Sequence, residues 1–209
     1  MNSQKPIEQA KGWLDAIMAF GLMIKDREAL GHNRRVALLC VHIGRELSMT
    51  ASELRLIARS GLLHDVGKLG IPEAILGKHA SLDEAEWTLV KTHPEVGLSI
   101  LDHVGRSTRE ALAVLYHHER MDGSGYPYGL AADAIPIEAR IVAVADTYDA
   151  LTSDRSYRKA CSTWEARRVL QEEAGARLDP KIVAALLRSL DASRQPARLG
   201  AGLTRFMVA

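Results

Sequence analysis

Two adjacent histidines, His117 and His118, precede a loop that contains Gly123, Gly125 and Pro127. They are the first candidates for a functional site. Neutral imidazole is the commonest metal ligand near pH 7, and two in a row are costly to bury without a partner. Further candidate ligands are spread along the chain: Glu28, His32, His64, Asp65, His93 and Asp146. Each histidine taken singly favours a structural or exposed role. The set predicts a metal site, provided that the elements carrying it converge.

The candidate ligands are imidazoles and carboxylates, without a thiolate. This mixture suits iron, manganese, zinc or nickel better than a structural zinc site. At least five imidazoles with two or three carboxylates are too many for one ion, so we expect two ions, and a third if Glu28 contributes. Asp65 is the natural bridge, because a carboxylate can offer one oxygen to each ion. Two metals about 3.5–4 Å apart are the usual machinery for attacking a phosphoester.

Helical periodicity and capping residues predict the elements that must position these residues. Helices are expected at about 7–25, 32–47, 51–65, 83–92, 108–116, 137–151, 164–174 and 180–190, with an irregular segment at 119–136. The capping box from Thr50 to Glu53 opens the helix that carries His64 near its end, and His93 is expected at a helix junction. Lys68 shares the face of His64 if that helix persists past Gly67. Sustained two-residue alternation, the signature of strands, is missing from the sequence, so we predict an all-α, single, bundle-like domain.

Composition narrows the function classes. The chain has 209 residues, of which 47% are hydrophobic and 25% charged, as expected for one globular core. A formal net charge of +1 gives no indication of a nucleic-acid polymer or an anionic membrane as partner. Two cysteines suit a reducing compartment. We see no signal peptide in the first residues and no apolar run near the roughly 20 residues that span a bilayer, so we expect a cytoplasmic protein.

Two extended motifs resemble a known family. Residues 64–68 read HDVGK, which matches the HDxGK motif of HD-domain metal-dependent phosphohydrolases, and residues 117–127 read HHERMDGSGYP, which matches the HHExxxGxGYP motif of the HD-GYP subgroup. The resemblance covers about residues 26–187. It implies an HD-domain fold and a phosphodiesterase in which a metal-activated hydroxide hydrolyses the bacterial second messenger cyclic di-GMP to pGpG, or to GMP after a second cut. Such an enzyme would favour motility over biofilm growth.

The resemblance also implies roles for individual residues. The family's metal ligands fall on His32, His64, Asp65, His93, His117, His118 and Asp146, and Glu28 falls where trinuclear members have an extra glutamate. The expected cofactor is two or three divalent ions, iron or manganese first, with zinc or nickel as alternatives. Asp65 and Lys68 are the expected catalytic residues; Lys68 would stabilise the transition state or help to protonate the leaving oxygen.

The resemblance further implies that Lys68, Arg155 and Arg158 contact the substrate phosphates, and the guanidinium groups of the two arginines suit phosphate geometry. Tyr126 offers a flat face on which a base can stack, or else it packs on the bundle as part of a structural turn. The loop 123–127, called the GYP loop below, would frame the guanine pocket or meet a partner such as a diguanylate cyclase.

The resemblance implies a catalytic domain at 26–193, preceded by a linking or dimerisation helix at 1–25 and followed by a surface tail at 194–209. A homodimer through the first helix is one expectation. Two alternatives stay open. One is an HD-type hydrolase of another cyclic dinucleotide or nucleotide, and the other is a non-catalytic cyclic di-GMP sensor or docking module. The complete ligand set argues against the module, since a pure sensor has no need for two metals.

Overall fold

The computed structural model describes Gly21 and residues 29–78, 80–103, 108–154 and 159–193. Within these ranges there are α-helices, short 3₁₀ helices at Val66–Gly70 and Ala132–Ala134, and isolated bridges without any named strand. The α-helices are α1 (Ala29–Glu46), α2 (Ala51–Leu63), α3 (Glu73–Leu76), α4 (Glu84–Val90), α5 (His93–His103), α6 (Thr108–Tyr116), α7 (Ile137–Thr152), α8 (Thr163–Glu173) and α9 (Pro180–Ser193). The all-α prediction is confirmed.

Side-chain caps fix where several helices begin. At α2 the Thr50 hydroxyl accepts a hydrogen bond from the Glu53 N–H at 3.4 Å, and the Glu53 carboxylate accepts one from the Thr50 N–H at 2.9 Å. This is the capping box that the sequence predicts, and it satisfies N–H groups that the first turn of a helix leaves unpaired. Asp83 and Ser162 form equivalent boxes at α4 and α8.

Two apolar cores hold the helices together. The larger core joins α1, α2, α7, α8 and α9, and α7 is buried all along 141–145, as its apolar sequence predicts. The smaller core lies under the end of α2 and the first 3₁₀ helix, against α5 and α6, and consists of Leu63, Val66, Leu101, Ala111 and Val114. His64 and Asp65 follow Leu63 directly, while Asp146 lies on α7 of the larger core. The elements that carry the predicted ligands therefore pack in both cores.

A close approach at Gly67 joins the first 3₁₀ helix to α5. A Cβ atom at this position would lie 1.8 Å from the His93 carbonyl oxygen and 2.6 Å from the Gly97 nitrogen, so only glycine fits. The helix predicted at 51–65 ends at Leu63, before Gly67, so the condition that would place Lys68 on the helix face of His64 is not met. Helix α5 begins at His93, which confirms the predicted helix junction. This contact brings the end of α2 against the start of α5.

Ion pairs with buried carboxylates connect the helices of the bundle. Arg109 of α6 donates to Glu138 of α7, and the Arg140 guanidinium of α7 donates to Asp179 at 2.8 Å, just before α9. Every helix within the described ranges is too short or too polar to serve as a bilayer-spanning segment. The predicted N-terminal helix, apart from Gly21, and the predicted tail lie outside the described residues.

Candidate metal centre

The structure brings seven of the predicted ligands together from separate elements. His32 lies on α1, and His64 and Asp65 follow α2 directly. His93 is the first residue of α5, and Asp146 lies on α7. The adjacent His117 and His118 come directly after α6. Helix ends thus supply most of the possible ligands, which is where side chains can point away from a bundle and toward one another.

The possible ligand atoms fall into two groups that share one carboxylate. Within each group the atoms lie within 4.8 Å of one another. The first, called the His32 group, contains His32, His64 and Asp65; the second, called the His93 group, contains Asp65, His93, His117 and His118. One oxygen of Asp65 lies 3.4 Å from Nε2 of His64, and the other lies 3.4 Å from Nε2 of His93. Each oxygen thus faces a different group.

A second carboxylate adjoins the His32 group. Asp146 Oδ1 lies 3.3 Å from His32 Nε2, on the side of the ring that faces Asp65. With Asp146 included, each group offers two or more imidazole nitrogens and at least one carboxylate oxygen. This donor set suits divalent iron, manganese or zinc.

Three rings are oriented by carbonyl groups in the helical turn that precedes each of them. Nδ1 of His64, His93 and His117 lies 2.8, 2.8 and 2.6 Å, respectively, from the carbonyl oxygen three residues earlier. A carbonyl oxygen only accepts, so each Nδ1 donates its proton and each neutral ring has its lone pair on Nε2. These carbonyls lie in the last turns of α2, α4 and α6, where a helix leaves carbonyls without backbone partners.

His32 is oriented differently, by a carboxylate. Its Nδ1 donates to Asp149 Oδ2 at 2.7 Å, and Asp149 also accepts from the Arg35 guanidinium at 2.6 and 3.0 Å. A carboxylate behind the far nitrogen of a ligating imidazole is the usual way to fix its tautomer and direction. The sequence analysis missed Asp149. The available signal was its position three residues after Asp146 on α7, which places both on one helix face.

Lone pairs meet at the middle of the cluster. Nε2 of His93 lies 3.4 Å from Nε2 of His117, and both rings carry their proton on Nδ1, so two lone pairs face each other. Nε2 of His64 is buried, and within the described residues it makes no hydrogen bond. A cation between these nitrogens would relieve the repulsion and satisfy the buried acceptor. The residues therefore fit divalent ions.

The protonation states near pH 7 also suit metal binding. Burial and the neighbouring His118 ring lower the pKa of His117 well below its usual range, and burial with the nearby His93 lowers the pKa of His118 to about 3. Burial alone would raise the pKa of Asp65, but Lys68 and the adjacent imidazoles outweigh it and hold the pKa of this carboxyl well below its usual range. Neutral imidazole and ionised carboxylate are the forms that bind a metal.

His32 is the exception among the rings. Burial alone would lower the pKa of His32, but hydrogen bonds to Asp146 and Asp149 outweigh burial and raise the pKa to about 9. The ring therefore carries a proton near pH 7. An ion binding to the His32 group must displace this proton, whereas the neutral rings of the His93 group have none to release.

Lys68 and the GYP loop border the cluster. Lys68 Nζ donates to Asp65 Oδ2 at 2.7 Å. Tyr126 stacks on the His118 ring, with centroids 4.6 Å apart and planes at 24°. Buried Glu119 holds the segment directly after the loop by accepting from the N–H groups of Tyr128 at 2.8 Å and Leu130 at 3.0 Å. One face of Tyr126 thus packs on a candidate ligand, as its structural interpretation predicts. Base stacking on Tyr126 stays a prediction.

Three predicted site residues lie outside the described part of the chain: Glu28, Arg155 and Arg158. The third ion and the arginine contacts to substrate phosphate therefore stay predictions.

Comparison with known proteins agrees with this picture. Residues 20–182 match the family model of the HD domain. The chain is 39% identical over 179 residues to the 3′3′-cGAMP-specific phosphodiesterase 2 of Vibrio cholerae, a match that covers 83% of this chain and 34% of that protein. It is 45% identical over 150 residues to the cyclic di-GMP phosphodiesterase response regulator RpfG of Xanthomonas campestris, covering 70% and 39%. The chain thus spans less than half the length of either curated relative.

A solved structure shares the fold. Bd1817, an HDG"Y"P protein from Bdellovibrio bacteriovorus, superposes with a TM-score of 0.65 at 23% identity, over 79% of this chain and 53% of that one.

Proposed function

The chain belongs to the HD domain family, and to the HD-GYP group within it, and we propose on that basis that it is a metal-dependent phosphodiesterase of cyclic dinucleotides. The observation that carries the proposal is the sharing of Asp65 between the His32 group and the His93 group. A shared carboxylate with imidazoles on both sides is an arrangement for two adjacent ions. The names of the two curated relatives, which act on cyclic di-GMP and on 3′3′-cGAMP, support the same class of substrate.

The proposed division of ligands follows the two groups. His32, His64 and Asp146 would hold one ion, the three rings of the His93 group would hold the second, and Asp65 would bridge them. When bound, such a pair supplies Lewis acidity toward a phosphoryl oxygen and activates water for attack on phosphorus. We propose iron or manganese as the native metal, because imidazole and carboxylate accept both and neither group contains a thiolate.

Lys68 would act beside the ions. Its ammonium donates to Asp65 at 2.7 Å, and its side chain is 26% exposed, so it lies at the open edge of the cluster. A cation in this position stabilises negative charge that develops on the phosphoryl group, or donates a proton to the leaving oxygen. Asp65 keeps the ammonium in place while it binds the ions. The two residues are thus proposed as the catalytic pair.

We propose cyclic di-GMP as the preferred substrate and pGpG as the first product. The higher identity to the cyclic di-GMP enzyme, 45% against 39%, supports this choice. The second candidate is 3′3′-cGAMP, which the Vibrio relative's longer match favours. Both molecules contain a guanine and two phosphodiesters, so the choice between them depends on the second base.

The test is metal analysis combined with product chromatography. The chain, purified without oxygen and supplied with manganese or ferrous iron, should hold at least two ions and convert cyclic di-GMP faster than 3′3′-cGAMP or cyclic di-AMP. Asp65→Asn should lose metal and turnover together, whereas Lys68→Ala should keep the metal and react more slowly. Asp133→Asn, a matched change at a side chain that is 98% exposed, serves as control. Tight binding of cyclic di-GMP without any product would favour the sensor module instead.

A further inference from the structure

Tyr126, Lys91 and Trp87 contact one another in turn between the candidate metal centre and the surface. Tyr126 is stacked on His118. Nζ of Lys91 lies 5.8 Å from the centroid of Tyr126 and 5.9 Å from the centroid of Trp87, within the range of a cation–π contact to either ring. Trp87 is 47% exposed, although it is one of the largest apolar side chains in the chain. A flat apolar ring and an ammonium are thus presented together beside the candidate ligands.

Local structure fixes this arrangement. Trp87 and Lys91 are four residues apart at the end of α4, so they share one helix face. The Lys91 N–H donates to the Trp87 carbonyl at 3.0 Å. His93, a member of the His93 group, follows two residues later at the start of α5. The face that carries Trp87 and Lys91 therefore adjoins the rim of the metal centre.

The chemistry of the pair matches one part of a cyclic dinucleotide. When one phosphodiester lies at the metal centre, the second phosphodiester and the bases must extend beyond it. Purine bases stack on exposed aromatic rings, and an ammonium pairs with phosphate. Tyr126 already has one face against His118, whereas Trp87 has nearly half of its surface open. We propose that Trp87 stacks a purine base of the substrate and that Lys91 pairs with the phosphodiester that is not being cleaved. This inference rests on the proposed function.

The experiment is a comparison of KM and kcat for cyclic di-GMP. Trp87→Ala should raise KM by about 5- to 150-fold, the usual effect of losing one base–aromatic stack, with a smaller change in kcat. Trp87→Phe keeps a flat ring and should restore most of the affinity. Lys91→Ala should raise KM and weaken its dependence on salt, because one charge–phosphate contact is lost.

A matched control exists in the same chain. Trp164 and Arg168 form a similar pair on α8, four residues apart, with the guanidinium carbon 5.8 Å from a ring whose residue is 69% exposed. Trp164→Ala should leave KM unchanged. Thermal unfolding and metal content, measured on every variant, identify a loss of fold.

The outcomes separate the two proposals. If the wild-type chain converts cyclic di-GMP and folded Trp87→Ala has an unchanged KM, the subsite is wrong while the proposed function stands. The same holds if Trp87→Ala and Trp164→Ala raise KM equally. If the wild-type chain loaded with metal converts no cyclic dinucleotide, the proposed function fails and the subsite fails with it.

Discussion

Replacement of Asp149 should weaken metal binding at the His32 group and leave the His93 group unchanged. Asp149 is 3% exposed and accepts from His32 Nδ1 at 2.7 Å, so it acts on an ion only through the direction and charge of that ring. Loss of such a partner typically costs 10- to 100-fold in metal affinity, or about 1.4–2.8 kcal/mol. Asp149→Asn keeps an oxygen acceptor for His32 Nδ1, so its loss of metal affinity should be about 10-fold. Asp149→Ala removes the acceptor and also leaves Arg35 without this carboxylate, so its loss of metal affinity should be about 100-fold.

Proton competition adds a pH dependence with a definite sign. The pKa of His32 is about 9, because Asp146 and Asp149 outweigh the lowering effect of burial. Near pH 7 the wild-type ring is mostly protonated, and an ion must displace that proton, which costs about 1.4 kcal/mol for each pH unit below the pKa. Without the Asp149 charge the pKa of His32 falls and this cost shrinks. The difference in affinity between wild type and variant should therefore be small near pH 7 and grow toward pH 9.

The assay is manganese titration followed by electron paramagnetic resonance of the free ion, at several pH values between 7 and 9. Two binding phases are expected, and only one should respond to Asp149. Asp133→Asn again controls for the loss of a carboxylate elsewhere. An affinity ratio that stays constant with pH, or an equal loss in both phases, would refute the role assigned to Asp149.

Three further predictions concern the proton on His32, the backbone contact at Gly67 and the hydrogen bonds that Glu119 accepts. Manganese binding at pH 7.5 should release about one proton, from His32, as measured by calorimetry in buffers of different ionisation enthalpy; no release would contradict the raised pKa. Gly67→Ala should cost about 3 kcal/mol or more in urea unfolding, because its Cβ would lie 1.8 Å from a backbone oxygen. Gly77→Ala, with its nearest atom at 3.2 Å, should cost far less, and equal costs would refute the argument. Glu119→Ala should destabilise the fold by about 1–3 kcal/mol, since the N–H groups of Tyr128 and Leu130, directly after the GYP loop, lose their acceptor; an unchanged urea midpoint would contradict this role of Glu119.

Much of the fold follows from side chains that are neighbours in sequence. Thr50 and Glu53 lie three residues apart, and their capping box predicts the start of α2 correctly. The helix junction at His93 is also predicted correctly, but the packing of the His93 carbonyl against Gly67 of another element is not. Sequence spacing contains no record of that contact. The predicted end of α2, at residue 65, lies two residues beyond the observed end at Leu63.

The candidate site shows a similar division. The motifs around His64 and His117 identify residues that the structure brings together, because each motif combines ligand types with the turn that presents them. Asp149 and Glu119 were not assigned roles, since neither belongs to the two ligand groups and each acts through the groups that it accepts from. The pairing of Trp87 with Tyr126 through Lys91 likewise depends on how α4 meets the loop.

The hydrogen bonds from three Nδ1 atoms to carbonyls three residues earlier have a consequence for how the centre can change. Each ring takes its direction from the helical turn that precedes it, so the ligand and its orientation move together when that turn shifts. The gap between the two groups is then determined by how the helices pack. A substitution in the smaller core, at Leu101 or Val114, would alter that gap and with it the preferred ion size, while every ligand keeps its identity.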